Sequence, residues 1–139
     1  MFFYLLKNEI INGAVVVTTC KDDPLRAKAI IASSEWEILQ AIGSKYTPIT
    51  MDEVLRTILY NKGKYAFVGL PCHIEALRKA EEIFPPLKEK IWIVIGLYCN
   101  NVPSLKATLY LLKILKLSAS DIEEINYRGN GWPGYMTIK

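Results

Sequence analysis

Three apolar runs rich in β-branched residues constrain the fold of this chain more than any other feature. They are AVVVTT (residues 14–19), YAFVGL (65–70) and IWIVIGLYC (91–99). Hydrophobicity that is continuous over so few residues is typical of strands buried on both faces, as in a parallel sheet. Parallel strands need long crossover connections, so the intervening segments are expected to contain helices.

Helix signals stand between and after these runs. Ser34 followed by Glu37 is a capping box, which predicts a helix that runs to about Gln40. Thr50 and Glu53 repeat the signature and predict a second helix. Helical periodicity also follows the runs YAFVGL and IWIVIGLYC, so strand and helix alternate.

Weaker strand signals complete the pattern. Residues 27–32 (AKAIIA) fit a short strand, and 122–129 (IEEINYRG) fit a fourth strand of the sheet. Residues 135–139 (YMTIK) resemble a strand cut off before a partner appears. The sequence therefore predicts one α/β domain over residues 1–139, with a mostly parallel sheet and helices on both faces in three layers.

Composition excludes several classes of protein. The hydrophobic fraction of 51% and the charged fraction of 22% are those of a globular chain rather than a disordered one. The net charge of +3 arises without a dense basic run, so no nucleic-acid partner is expected. Lys7 and Glu9 interrupt the apolar start well short of the ~20 residues that a membrane span needs.

The three cysteines form no C-x-x-C pair and are odd in number. That count favours a reducing compartment, so the chain is predicted to be cytoplasmic. Cys72 follows one predicted strand and Cys99 closes another, and ligands gather outside the carboxyl ends of parallel strands. Each thiol can therefore be a metal ligand, a nucleophile or a buried packing residue. Cys20 is interpreted as a packing residue.

Cys72 also fits part of the sequence pattern of a different class of enzyme. Cys72 and Arg78 form C-x5-R, the spacing of cysteine-dependent phosphatases. The intervening residues contain no glycine and form a good helix, which disfavours a phosphate loop. His73 is the only histidine, and it is interpreted as a helix N-terminal residue rather than as part of a catalytic dyad or a zinc site.

Four stretches together resemble the β-subunit family of coenzyme F420 hydrogenases and dehydrogenases. They are AIGSKY (41–46), FVGLPCHIEALR (67–78), IGLYC (95–99) and YRGNGWPG (127–134). The resemblance implies a redox flavoprotein with FAD and a [4Fe–4S] cluster, with coenzyme F420 as substrate. It also implies other redox subunits, or further parts of the same polypeptide, as partners.

The resemblance also assigns candidate site residues. Cys72 and Cys99 become candidate cluster ligands. Candidate cofactor contacts are Ser44, Lys45, Tyr46, Arg128 and Trp132. A cubane cluster takes four cysteine ligands, so the ligand set within this chain is expected to be incomplete. The chain is therefore expected to be a truncated or partial family member within a larger flavin and iron–sulfur subunit.

Three functions remain open on the sequence. The first is electron and hydride transfer between coenzyme F420 and an iron–sulfur chain through FAD, with the isolated chain expected to be inactive. The second is a phosphatase that uses Cys72 and Arg78. The third is a non-catalytic interaction domain that keeps only the sheet.

Overall fold

A computed structural model describes all residues, 1–139, and its element order follows the predicted alternation of strand and helix. The helices are α1 (Phe2–Lys7), α2 (Glu35–Gln40), α3 (Asp52–Tyr60), α4 (Pro71–Ile83), α5 (Pro85–Lys90) and α6 (Leu105–Ile114). The strands are β1 (Gly13–Thr19), β2 (Ala27–Ala32), β3 (Tyr65–Gly69), β4 (Ile91–Gly96), β5 (Ile125–Gly129) and β6 (Tyr135–Ile138). A short 3-10 turn (Ala119–Asp121) precedes β5.

The main sheet has four strands in the order β2-β1-β3-β4. β1 pairs with β3 and β3 pairs with β4, both in parallel. The predicted α/β class with a mostly parallel sheet is confirmed. Ala14, Val15, Ala66 and Phe67 are fully buried, as expected for the inner strands β1 and β3, each of which has a strand on either edge.

The prediction that 91–99 forms a buried strand is wrong in two respects. β4 lies at the edge of the sheet, so Trp92 remains 49% exposed. The strand also ends at Gly96, three residues before Cys99. Pairing stops there because β3 ends at Gly69, whose carbonyl accepts the last bond, from Leu97 N (3.0 Å).

The prediction that 122–129 adds a fourth strand to the main sheet is also wrong. β5 pairs antiparallel with β6 in a separate two-stranded sheet, and the fourth strand of the main sheet is β2. β6 therefore has a partner within the chain. Pairing is local because Asn130 (φ 60°) and Gly131 (φ 93°) reverse the chain immediately after β5.

The helix starts differ in how well they match the sequence signals. At α2 the capping box forms: Glu37 Oε2 accepts from Ser34 N (3.1 Å), and Glu37 N donates to Ser34 Oγ (3.3 Å). At α3 the N-cap is Met51 and no side chain caps it, so the predicted Thr50 box does not form. Pro85 follows the end of α4 and begins α5, a short helix that the sequence analysis did not predict.

Contacts divide the chain into two compact units. The first comprises Met1–Val16, Ala29–Gln40 and Thr50–Asn100, and the second comprises Val17–Lys28, Ala41–Ile49 and Asn101–Lys139. The second unit has its own core, formed by Leu25, Leu112, Ile122 and Ile125. The single-domain boundary of 1–139 stays a prediction. None of the helices combines the length and the apolar character that a membrane crossing requires.

Candidate functional site

The first candidate region lies where β3 passes into α4. β3 ends at Gly69, Leu70 is extended, and Pro71 takes the first helical position, where its missing N–H costs nothing. Cys72 is therefore in the first turn of α4, and its side chain is exposed. The free backbone N–H groups of a first helical turn stabilise negative charge. This position agrees with the predicted strand-to-helix placement of the thiol.

Cys99 lies beyond the next strand of the same sheet. Gly69 and Gly96 are register partners at the ends of β3 and β4, so Cys72 and Cys99 follow the carboxyl ends of adjacent parallel strands. Both thiols are exposed, which disfavours the interpretation as buried packing residues. We call this region, Cys72 and Cys99 with the strand ends before them, the thiol edge. Its assignment as a ligand pair stays a prediction.

His73 forms a hydrogen bond that stabilises the start of α4 at the thiol edge. Its Nδ1 lies 3.4 Å from Leu70 N and accepts that backbone N–H, which would otherwise lack a partner at the helix start. Burial lowers the pKa of His73 from its usual value. A neutral ring is what the acceptor role requires. The geometry supports the interpretation of His73 as a helix N-terminal residue.

Arg78 is engaged away from Cys72. Its Nη1 donates to Glu81 Oε2 (2.8 Å), and both residues lie within the continuous helix Pro71–Ile83. From Ile74 onward, whose N–H donates to Leu70 O (3.0 Å), the backbone N–H groups before Arg78 are used in helical bonding and do not surround an anion as a phosphate loop does. This geometry does not support the phosphatase alternative.

Lys45 lies in the loop after α2. Its Nζ donates to three backbone carbonyls, those of Ala41 (2.7 Å), Ile42 (2.9 Å) and Gly43 (3.1 Å). Burial lowers the pKa of Lys45. The ammonium thus satisfies carbonyls left open where the helix ends. A phosphate contact would have to share these donors, and the assignment of Lys45 to a cofactor stays a prediction.

The two neighbours of Lys45 differ in exposure. Ser44 is exposed and its hydroxyl is accessible. The Tyr46 ring meets the Tyr127 ring edge to face, with centroids 5.4 Å apart. Tyr127 in turn shares a hydrogen bond with Thr108 (3.0 Å between hydroxyl oxygens). Tyr46 is half-buried and already in an aromatic pair, so its predicted stacking on a cofactor has no direct support.

The second candidate region is the loop between β5 and β6, residues 130–134, which we call the hairpin loop. Arg128 lies with its Cζ 4.7 Å from the centre of the Trp132 ring. Its Nε and Nη2 also face Pro133 O at 3.4 and 3.3 Å. Trp132 is nevertheless 86% exposed. The structure thus brings together the two residues that the sequence had placed in one glycine-rich loop.

The implied cofactors fit these residues unequally. The exposed Trp132 ring and the Arg128 cation suit a planar, anionic ligand such as a flavin nucleotide. The thiol edge offers two thiols, and nowhere does the chain gather three or more histidine, cysteine, aspartate or glutamate side chains that could hold a metal. A complete four-ligand cluster therefore does not fit this chain alone.

Sequence reasoning missed two residues that hold these regions. Glu81 is buried, with Oε1 lacking any partner, and the sequence analysis assigned it no role. Tyr127 connects Tyr46 to Thr108 within the second unit. Helical periodicity places Glu81 four residues after Leu77, on the buried face, and that spacing was the available signal.

The main sheet and the thiol edge together define this chain as an α/β protein with reactive side chains beyond the ends of adjacent parallel strands. Comparison with known proteins shows which family within that class the chain belongs to. Residues 1–56 match the model described as "Coenzyme F420 hydrogenase/dehydrogenase, beta subunit N-term", and residues 62–139 match its C-terminal counterpart. The chain belongs to the coenzyme F420 hydrogenase/dehydrogenase β-subunit family.

Individual relatives agree with this assignment. The chain is 33% identical over 113 residues to a coenzyme F420-dependent sulfite reductase of Methanocaldococcus jannaschii, covering 70% of this chain and 18% of the relative. It is 30% identical over 99 residues to a coenzyme F420 hydrogenase subunit beta of Methanococcus voltae, covering 69% of this chain and 35% of the relative. The chain thus spans about a fifth to a third of the length of these relatives.

A solved structure supports the fold. A chain of the xenon-derivatised F420-reducing [NiFe] hydrogenase complex from Methanosarcina barkeri superposes with a TM-score of 0.74 at 20% identity. The match covers 99% of this chain and 50% of the other. The chain therefore shares the fold of about half of that chain.

Proposed function

We propose that this chain serves as part of a redox protein that exchanges electrons with coenzyme F420 through bound FAD. The observation that carries the proposal is that both halves of the F420 β-subunit family match consecutive parts of this chain. Relatives named for F420-dependent sulfite reduction and F420 hydrogenase activity support the same substrate. A flavin supplies the conversion between two-electron and one-electron transfer when bound.

The proposed roles of the residues follow from their exposure and charge. Arg128 holds an anionic group and Trp132 offers a ring face. Ser44 contributes an exposed hydroxyl near Lys45 in sequence, and Lys45 fixes the loop through its carbonyl contacts. Tyr46 is proposed as a neighbour of the cofactor that is itself positioned by Tyr127.

Cys72 and Cys99 are proposed as a partial ligand pair for a [4Fe–4S] cluster. Because a complete set does not fit this chain, the remaining ligands would come from other redox subunits or from further parts of the same polypeptide. The exposure of both thiols supports this proposal, since a shared ligand must be reachable from outside the chain.

The first experiment measures both the retention of FAD by the chain and the reduction of that FAD by coenzyme F420. The full chain is purified without oxygen, incubated with FAD and freed of unbound cofactor, and its visible spectrum is followed on adding reduced coenzyme F420. We expect retained yellow absorbance that bleaches as the coenzyme is oxidised. A chain that retains no flavin and leaves the coenzyme reduced, even with an F420 hydrogenase's other subunits present, contradicts the proposal.

The second experiment tests the thiol edge. The chain is incubated with ferrous and ferric iron, sulfide and an excess of a small thiol that supplies the missing ligands, and the bound iron is compared between the wild type, Cys72→Ser, Cys99→Ser and the control Cys20→Ser. Cys20 lies in the second unit, and only its backbone N–H is engaged, with Arg26 O (2.9 Å). We expect iron to be lost in the first two variants alone. Equal iron in all three variants would remove the ligand-pair assignment.

The non-catalytic alternative predicts a different result. An interaction domain would bind a partner without colour and without any dependence on Cys72 or Cys99. The exposed apolar side chains of α6 (Leu109, Tyr110 and Ile114) are compatible with such contacts. Partner binding that survives in both serine variants, with no flavin or iron retained, would favour this alternative.

A further inference from the structure

We infer that the free edge of β4 pairs with β4 of a second copy of this chain, in an antiparallel arrangement about a two-fold axis. This pairing joins the two four-stranded sheets into one continuous sheet. The inference concerns assembly and goes beyond the proposed function, on which it does not rest. It starts from the backbone of the main sheet rather than from a reactive side chain.

The first step is that the outer side of β4 has unpaired backbone groups. β4 is the last strand of the sheet and pairs only with β3. The register between the two strands skips Trp92, so the regular part of the edge begins at Ile93. It extends to Leu97, whose N–H still donates to Gly69 O (3.0 Å). In a strand that is paired on one side, about half of the N–H and C=O groups point outward and can bond another strand.

The second step is that the sequence of β4 does not protect this edge. Lysine and other charged residues usually keep exposed edges apart. The opposite edge strand, β2, follows this rule because it carries the exposed Lys28. By contrast, residues 91–105 contain no charged side chain, and β4 contains no proline. The two edges of the sheet therefore differ, and only that of β4 is suited to pairing with an apolar strand.

The third step is that this edge complements itself. The middle of the regular edge is Ile95, and Trp92 and Tyr98 lie at equal distances before and after it. An antiparallel pair centred on Ile95 therefore places Trp92 of each copy opposite Tyr98 of the other. Trp92 is half exposed and Tyr98 is fully exposed, so both rings are available. Aromatic cross-strand pairs of this kind stabilise sheets.

The charges beside β4 favour the same arrangement. Lys88, Glu89 and Lys90 directly precede the strand. In the antiparallel pair they lie opposite the uncharged residues that follow β4 of the other copy, whereas a parallel pair would place lysine against lysine. A different protein would have to offer a strand that is uncharged along its whole length. A second copy meets this requirement by its own sequence.

The exposed apolar area near this edge is large enough for a dimer. Because α5 is short, the end of α4 lies near the start of β4. Ile83 and Phe84 there are exposed, as are Trp92, Leu97 and Tyr98. Together these five side chains leave about 600 Å² of surface uncovered, against the roughly 800 Å² that each partner buries in a standard interface.

The experiment measures association of the full chain and also locates the contact. Molar mass is determined by sedimentation at protein concentrations from about 0.1 to about 100 μM, since interfaces of this size bind with micromolar or tighter affinity. Amide hydrogen exchange of β4 and β2 is followed over the same range. The variants are Trp92→Glu, the double variant Trp92→Glu/Tyr98→Arg, and the control Trp36→Glu, which changes an exposed tryptophan on α2.

We expect a dimer with twice the chain mass of 15.8 kDa. Exchange of the β4 amides should slow as the dimer forms, and exchange of the β2 amides should not change. Trp92→Glu should raise the dissociation constant by about 30-fold or more, as the loss of an interface anchor does. Adding Tyr98→Arg should recover much of that loss, because the two new charges have opposite signs and meet across the axis. Trp36→Glu should have no effect.

Several results would overturn the inference. A chain that stays monomeric at the highest concentration, or that forms open-ended aggregates instead of a dimer, contradicts it. A dimer whose β4 amides exchange at an unchanged rate would place the contact elsewhere. Protection of β4 that appears only after the other subunits of an F420 hydrogenase are added would assign the edge to a different partner. Exchange in the wild type decides these outcomes independently of whether Trp92→Glu folds.

Discussion

The thiol edge and the hairpin loop both present exposed, chemically capable side chains, but different forces hold them. At the thiol edge the positions of Cys72 and Cys99 are set by the backbone, through the paired ends of β3 and β4. In the hairpin loop the side chains hold one another, through the contacts of Arg128 with Trp132 and Pro133.

The two sites are therefore expected to depend on different parts of the structure. A site set by backbone topology requires the buried core beneath it and tolerates changes at its own surface. A site set by side-chain contacts requires those few contacts and should be insensitive to substitutions in the core beneath the thiol edge. Three substitutions and one change of pH test this comparison, ordered from the largest expected effect to the smallest.

The largest effect is expected from Leu77→Ala in α4. Leu77 is fully buried, so truncation should lower the free energy of unfolding by about 2–5 kcal/mol. Because α4 carries Cys72, the thiol should also react faster with a thiol reagent, while Trp132 fluorescence should not change. Urea unfolding and thiol-labelling rates provide the measurements.

Leu39→Ala is the control for this change, since Leu39 is 48% exposed on α2. Leu39→Ala should lower the free energy of unfolding far less than Leu77→Ala does. Equal losses in the two variants, or a fluorescence change at Trp132, would show that core and surface are not separated as the comparison requires.

The next effect is expected from Gly134→Ala in the hairpin loop. The positive φ of 84° costs an alanine roughly 1–2 kcal/mol, and the Cβ would also lie 2.9 Å from two carbonyl oxygens. Trp132 fluorescence should shift as the loop rearranges, and the labelling rate of Cys72 should stay constant.

Gly131→Ala separates the two contributions. Its φ of 93° imposes similar backbone strain, but its Cβ meets nothing within 4 Å. A smaller fluorescence shift is therefore expected than in Gly134→Ala. The reverse order would mean that close packing does not hold this loop.

A moderate effect is expected from Arg78→Ala on the exposed face of α4. Removing Arg78 leaves the buried Glu81 carboxylate without its only side-chain partner, at a cost toward the low end of ~1–3 kcal/mol because Arg78 itself is half exposed. Glu81→Leu removes the buried charge instead and should be close to neutral. Thermal unfolding of both variants checks the prediction, which fails if Glu81→Leu is the more damaging change.

The smallest effect concerns pH at the thiol edge. Because burial lowers the pKa of His73 below its usual 6.5, its contribution to stability is present above about pH 6.5 and is lost as pH falls toward the lower, folded-state value. Protonated Nδ1 can no longer accept the Leu70 N–H. Urea unfolding at about pH 7.5 and about pH 5.5 should show this loss.

His73→Asn is the control, since an asparagine oxygen can accept the same N–H without titrating. The variant should lose less stability than the wild type between the two pH values. An identical loss in both proteins would assign the pH dependence to other groups.

Much of the molecule followed from local sequence. The capped helix α2 and the buried runs of β1 and β3 were predicted because their signals lie within a few residues of one another. The position of Cys72 in the first turn of α4 followed in the same way, from Gly69 and Pro71. The family resemblance, carried by short motifs at the ends of elements, was confirmed by the comparisons.

Other features depended on pairing between distant segments. The apolar run of β4 reads as a buried strand, but strand order decides which strand lies at the edge. The pairing of β5 with β6 was missed because the strand signal of 122–129 is compatible with either sheet. The burial of Glu81 was not predicted because a glutamate rarely lies buried unless it is paired, and its pairing with Arg78 appears only in the structure.

What the sequence by itself determined was the kind of each main element and the ends where reactive side chains appear, since backbone propensity, capping and turn chemistry act over a few residues. What only the tertiary structure decided was which strands are neighbours and which side chains meet. Two thiols 27 residues apart follow adjacent strand ends because β3 and β4 pair. Lys45 binds carbonyls, and Arg128 covers an indole, because folding sets distances that no local pattern encodes.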